Sequence, residues 1–117
     1  MIVYGIPNCD TVKRARAWLT ARFVAHDFHD FKKAGVPEVA LDAWIAVLGW
    51  QPLVNRQGST WRKLDAAAQQ AVVDATSARD LMRVQPSLIK RPVVLWADGE
   101  VTVGFDEPRW AARIRRS

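Results

Sequence analysis

Cys9 stands just past the Gly5-Ile6-Pro7 turn, in the stretch Tyr4-Gly5-Ile6-Pro7-Asn8-Cys9-Asp10-Thr11, and it is the one cysteine of the chain. Met1, Ile2, Val3 and Tyr4 read as a buried strand, Gly5 and Pro7 punctuate a turn, and Val12, Ala15 and Leu19 then recur at helical spacing. This pattern predicts a sulfur at a helix N-terminus. There, unpaired backbone N–H groups and the positive end of the helix dipole favour thiolate over thiol, and Lys13 and Arg14, one turn on, add to the effect while Asp10 opposes it. The chemistry on offer is nucleophilic attack by sulfur. A buried cysteine packed as a small hydrophobe is the plainer alternative, and the turn favours the reactive one.

Two further groups of residues could bind or ligate. Leu53-Val54-Asn55-Arg56-Gln57-Gly58-Ser59-Thr60-Trp61-Arg62 reads as a polar loop, and its arginines could clasp an anion through the guanidinium fork or simply be solvated. The loop alone fits both. His26 and His29 suggest a metal site, but the alternation of Val24, His26 and Phe28 with Ala25, Asp27 and His29 predicts a strand that puts the two histidines on opposite faces. With no second cysteine to complete a site, a surface or strand-end role suits them better, and no metal is expected.

The elements that must position these residues can be read in order. Helix one spans about residues 8–21 and the strand at 24–29 follows, giving a β-α-β unit with parallel strands side by side. After Lys32-Lys33-Ala34-Gly35 the pattern turns helical. Pro37 suits a first helical position, Leu41, Trp44, Ile45 and Leu48 form a stripe, and Gly49 ends it. Asp65 is placed to cap a second helix running through Ala75, and Ser77 with Asp80 resembles a capping box opening a third that ends at Val84. Trp44, Trp50, Trp61 and Leu64 would glue this insert to the rest by packing. Pro92-Val93-Val94-Leu95-Trp96, the two-residue turn Asp98-Gly99 and Glu100-Val101-Thr102-Val103 then predict a hairpin. Asp106 caps a last helix with Pro108 in its first turn and Trp110, Ala111 and Ile114 on its buried face.

At 117 residues, with 50% hydrophobic and 25% charged side chains, the chain is read as one globular domain with a real core. A single cysteine excludes an internal disulfide, no apolar run reaches membrane length, and Met1 enters a strand with no basic leader, so a cytoplasmic protein is expected. The formal net charge of +5 owes much to Arg109, Arg113, Arg115 and Arg116, read as cations that suit the dipole of the last helix. Anionic partners fit this balance. Direct nucleic-acid binding does not, since no aromatic platforms or groove-reading helix accompany the charge.

The Tyr4–Thr11 stretch, Asn55-Arg56-Gln57-Gly58 with Thr60-Trp61-Arg62-Lys63-Leu64, and Ile89-Lys90-Arg91-Pro92-Val93-Val94 together resemble the arsenate reductase (ArsC) family over nearly the whole chain. The similarity is greatest to its YffB-type members, often grouped with Spx/MgsR-like regulators. The resemblance implies an α/β, thioredoxin-like fold, β-α-β followed by β-β-α, with residues 1–35 and 86–117 as the core and 36–85 as an all-helical insertion. It implies Cys9 and Arg91 as catalytic residues, Arg91 just before a cis-proline, Pro92. It also implies substrate binding by Arg56, Asn8, Thr11 and Pro92, and glutathione as co-substrate. Two departures accompany it. Arsenate reductases carry a third arginine after the hairpin, where this chain has Val103-Gly104-Phe105-Asp106, and the redox-switch regulators use Cys-x-x-Cys, where this chain has Val12. The expected function is a glutathione-dependent thiol–disulfide reductase working through a mixed disulfide. The alternatives are an arsenate reductase or a regulator binding an RNA polymerase subunit.

Overall fold

A computed structural model describes the backbone of residues 1–116 and side chains through residue 115; Ser117 and the Arg116 side chain, part of the basic tail noted above, lie outside the described residues. Four strands form one sheet in the order β2-β1-β3-β4, with β1 (Ile2–Gly5) parallel to β2 (Asp27–Asp30) and antiparallel to β3 (Val93–Leu95), which pairs antiparallel with β4 (Val101–Val103). Helix α1 (Asp10–Ala21) is the crossover between the parallel strands, and α7 (Glu107–Arg116) follows the hairpin. The fold is thioredoxin-like, α/β with a helical segment inserted between β2 and β3.

Side-chain alternation along the central strands builds a core on each face of the sheet. Tyr4 and Val93 turn toward the inserted helices, where they join Phe31, Leu41, Trp44, Leu53, Met82 and Ile89. Val3 and Val94 turn the other way, onto Ala15, Trp18 and Leu19 of α1 and Trp110 of α7. Burial of one such large apolar side chain contributes about 1.5–3 kcal/mol. Both faces of β1 are thus covered, which is why its sequence is an unbroken apolar run. Gly5 lets α1 begin close to the sheet, since a Cβ there would stand 2.9 Å from Val12 Cγ2. At the far end of α1, Phe23 takes the left-handed conformation that usually goes to glycine (φ 58°) and is 95% exposed.

The stretch between α1 and β3 departs from the sequence reading in four places. The strand expected at 24–29 starts only at Asp27, so His26 precedes it and donates from Nδ1 to the Val24 carbonyl at 3.0 Å, while His29 on β2 donates to the Gly35 carbonyl at 2.8 Å. Asp30 ends that strand by capping a one-turn helix, α2 (Phe31–Ala34). After α3 (Glu38–Leu48), the supposed loop contains the short helix α4 (Ser59–Lys63). The helix expected from Asp65 to Ala75 stops early: Asp65 caps α5 (Ala66–Gln70), and α6 (Ala75–Val84) has its own capping box. In that box Asp74 is the cap and Ser77 the third helical residue, with the Ser77 N–H donating to Asp74 Oδ1 at 2.8 Å and Ser77 Oγ accepting from the Asp74 N–H at 3.1 Å. In the sequence, valine and alanine on either side of Asp74 suggest a continuous helix and so mask it as a cap. Packing of α3 on α6 is edged by the ion pairs Arg79–Asp42 and Arg83–Glu38. The β3–β4 turn is also longer than two residues: the Trp96 N–H donates to the Glu100 carbonyl at 2.9 Å around Ala97-Asp98-Gly99, with Gly99 at φ 89°. Among the described residues no helix is long and apolar enough to cross a membrane.

Candidate active site

Cys9 is the N-cap of α1: its backbone is extended (φ −135°, ψ 123°) and its carbonyl accepts the first helical bond, from the Lys13 N–H at 2.9 Å. Burial works to push its thiol up, but the backbone N–H of Val12, the side chain and charge of Arg91 and the N–H of Thr11 favour the thiolate more strongly, and the net shift is downward. The direction and the part played by backbone N–H groups at the helix start agree with the sequence reading, and only the cation differs. The cation acting on the sulfur is Arg91, 82 positions away in the chain, rather than Lys13 or Arg14 on the next helical turn.

Arg91 reaches the sulfur because its backbone is doubly held. The Arg91-Pro92 bond is cis, and Pro92 leads directly into β3, paired with β1. On the N-terminal side, Ile89 forms an isolated bridge with Val54, flanked by bonds from Asn55 N–H to the Leu88 carbonyl and from Lys90 N–H to the Leu53 carbonyl, each 2.7 Å. The guanidinium is further anchored by Nη1 donating to the carbonyls of Ser87 at 2.8 Å and Ile89 at 3.3 Å. Its Nε is buried and has no hydrogen-bond partner among the described residues.

A cavity of about 970 Å³ opens beside the sulfur, lined from α1 by Cys9, Thr11 and Arg14, from the bridge by Asn55, Lys90 and Arg91, and beyond them by residues 102–106 and one side of α7. The residues expected at the site are therefore not all brought together. Cys9, Arg91 and Thr11 line the cavity, and Pro92 is buried behind Arg91. Asn8 is exposed on the turn and is not among the lining residues. Arg56 is exposed and turned to the insert, its guanidinium 5.7 Å from the Trp50 ring and 5.5 Å from that of Trp61. Its neighbour Asn55 faces the cavity instead, and Asn55 Oδ1 accepts from the Gln57 N–H at 3.2 Å to close a tight turn.

Sequence reasoning missed Asn55, Lys90 and Arg109 as cavity residues. Lys90 could have been suspected from its place next to Arg91. The sequence reading makes Arg109 a cation at the negative end of the last helix, but it lies in the first turn of α7, where the dipole does not favour it. Arg113 is also committed elsewhere, bonding Glu100 at 2.7 Å and Asp98 at 3.3 Å over the Trp96 ring. Among the described residues no cluster of three or more side chains suits a metal ion.

Comparison with known proteins agrees with this fold. A solved structure described as the YFFB protein superposes with a TM-score of 0.86 at 48% identity, covering 95% of this chain and 96% of the other. An arsenate reductase (ArsC) related protein from Brucella melitensis gives a TM-score of 0.75 at 44% identity, covering 97% and 93%. The global transcriptional regulator Spx of Streptococcus pyogenes is 25% identical over 115 residues, 94% of this chain and 81% of that one. The ArsC family model matches residues 4–113, and with a thiolate-favouring cysteine between strand and helix and an arginine before a cis-proline beside it, the chain belongs to the ArsC family.

Proposed function

We propose that this protein is a glutathione-dependent thiol–disulfide reductase that works through Cys9 alone. The observation that carries the reading is the pairing of a thiolate-favouring N-cap cysteine with an anchored arginine at the wall of a large cationic cavity. In the first step the Cys9 thiolate attacks one sulfur of a disulfide, an S–S bond forms to Cys9, the old S–S bond breaks, and the departing thiolate takes a proton from solvent. Glutathione thiolate then attacks the mixed disulfide and releases Cys9 as thiolate. When the captured partner is itself glutathione, the substrate disulfide has gained two electrons and two glutathiones leave as their disulfide. No second cysteine exists to resolve the intermediate internally, and a cavity of about 970 Å³ suits a tripeptide better than one tetrahedral oxyanion. The stretch 103–106 contributes no cation to that cavity, which further weakens arsenate as substrate.

The likeness to Spx favours a second reading, a regulator that binds an RNA polymerase subunit. Any such role would lack a dithiol switch at Cys9, because Val12 occupies the second position.

Turnover of a glutathionylated protein with and without added glutathione tests the proposal. Reduction should stop after about one equivalent when glutathione is withheld and continue when it is supplied. Sustained turnover without an external thiol, or no mixed disulfide on Cys9 by mass spectrometry, would overturn it. The second outcome together with co-purification of polymerase would favour the regulatory reading.

A further inference from the structure

The cavity is more basic than a single sulfur requires. Five of its lining residues are cationic, Arg14, Lys90, Arg91, Arg109 and Arg113, against one lining carboxylate, Asp106, while Asp98 and Glu100 pair Arg113 from outside the lining. Positive charge is thereby gathered around one depression.

These cations are not equivalent. Arg113 is held by Asp98 and Glu100, and Arg91 by two backbone carbonyls and Cys9. Arg109 is different: its side chain is 88% exposed, and its one ion-pair partner among the described residues is Asp106, at 3.8 Å and three positions earlier. Such an exposed pair is weak in water. Asp106 is already engaged as a helix cap, its Oδ1 accepting from the Arg109 N–H at 3.0 Å, so the backbone of Arg109 is fixed while its guanidinium can turn to another anion. Lys90 lies across the same wall, its Cε 3.6 Å from where a Cβ on Gly104 would be, with no ion pair among the described residues. Two of the positive groups thus stand apart from Arg91 at the sulfur: Lys90, which reaches from the bridge to the end of β4, and Arg109 in the first turn of α7.

We infer that Arg109, assisted by Lys90, receives a second anionic group of the disulfide substrate, away from the reacting sulfur, so that the site selects disulfides with carboxylates at their ends over neutral or cationic ones. The inference rests on the thiol–disulfide reading of Cys9 and adds to it the substrate's charge class and the residue that reads it. A guanidinium holds a carboxylate through two parallel N–H bonds, which suits Arg109 to this task better than a lysine would be.

The test measures the rate at which Cys9 in the full chain forms a mixed disulfide with oxidised glutathione, with the neutral bis(2-hydroxyethyl) disulfide and with the cationic cystamine. Arg109→Glu, Arg109→Lys and Lys63→Glu proteins are compared with the parent; Lys63 is an exposed residue on α4, outside the cavity, and its substitution makes the same change in net charge. The parent should react fastest with oxidised glutathione. Arg109→Glu should lose about tenfold on that substrate and gain on cystamine, with the neutral disulfide falling between them and Arg109→Lys intermediate. If Arg109→Glu shifts the preference no more than Lys63→Glu does, Arg109 is not the reader and the inference fails, while adduct formation on Cys9 still upholds the reductase reading. If no disulfide forms an adduct in any variant although iodoacetamide still alkylates Cys9, the reductase reading falls and the inference with it.

Discussion

Two arginine-bearing segments meet at the bridge between Val54 and Ile89, and they end differently. On one side, Arg91 follows a paired residue, precedes a proline that enters the central sheet, and has its guanidinium tied to the carbonyls of Ser87 and Ile89. On the other, the chain leaves the bridge after Asn55, and Arg56 swings out over Trp50 and Trp61. The two arginines look alike in sequence, and both are implied as anion binders by resemblance. What separates them is the backbone: a segment paired on both sides can hold a charge against a sulfur, whereas a segment paired on one side turns its side chain to whatever surface lies nearest. The difference teaches that in this fold the charge acting on the thiolate is set by strand pairing rather than by the abundance of arginine.

The comparison is best broken at Arg91. Arg91→Ala should slow disulfide exchange at neutral pH by about tenfold or more, since a charge-assisted interaction with the thiolate is lost. The midpoint of iodoacetamide alkylation against pH should rise toward that of an ordinary thiol. The sign of the linked stability follows. With its native pKa depressed, Cys9 stabilises the fold above the unfolded-state thiol pKa, and that contribution is lost as pH falls through the native value. Arg91→Ala should therefore flatten the pH dependence of the urea midpoint on the alkaline side. In Arg91→Lys the charge returns without the fork, and exchange should recover only in part. An unchanged alkylation midpoint in Arg91→Ala would end the claim that this segment tunes the sulfur.

A smaller effect is expected on the other side of the bridge. A Cβ on Gly58 would stand 2.7 Å from Asn55 Nδ2, so Gly58→Ala should push the Asn55 side chain from its place at the cavity. Exchange with oxidised glutathione should slow by about threefold while the alkylation midpoint stays put. A shift of that midpoint would mean that the loop also acts on the sulfur.

The smallest effect belongs to Arg56. Because its guanidinium is exposed and rests on two indole rings outside the cavity, Arg56→Ala should change the exchange rate by less than about twofold. A loss as large as that of Arg91→Ala would show that the loop closes on the substrate and would erase the distinction between the two segments.

What the sequence by itself determined is local. The turn after β1, the N-cap position of Cys9, the hairpin around Gly99 and the capping of α7 by Asp106 all depend on residues within a few positions of one another, and backbone preferences and capping chemistry make such features readable. The implied cis bond before Pro92 came from family resemblance and is present. Other features depended on what lies across the molecule. The helix read through Ala75 breaks where Asp74 and Ser77 form their own cap, a choice between two competing local signals that buried Val72 and the core around it accompany. The identity of the cation beside Cys9, the outward turn of Arg56 and the arrival of Arg109 and Lys90 at one cavity were decided by the tertiary structure alone, because each requires β3 to pair with β1, the Val54–Ile89 bridge to close, and α7 to return across the sheet. Electrostatic influence on a thiolate falls off with distance in space and takes no account of separation in the chain.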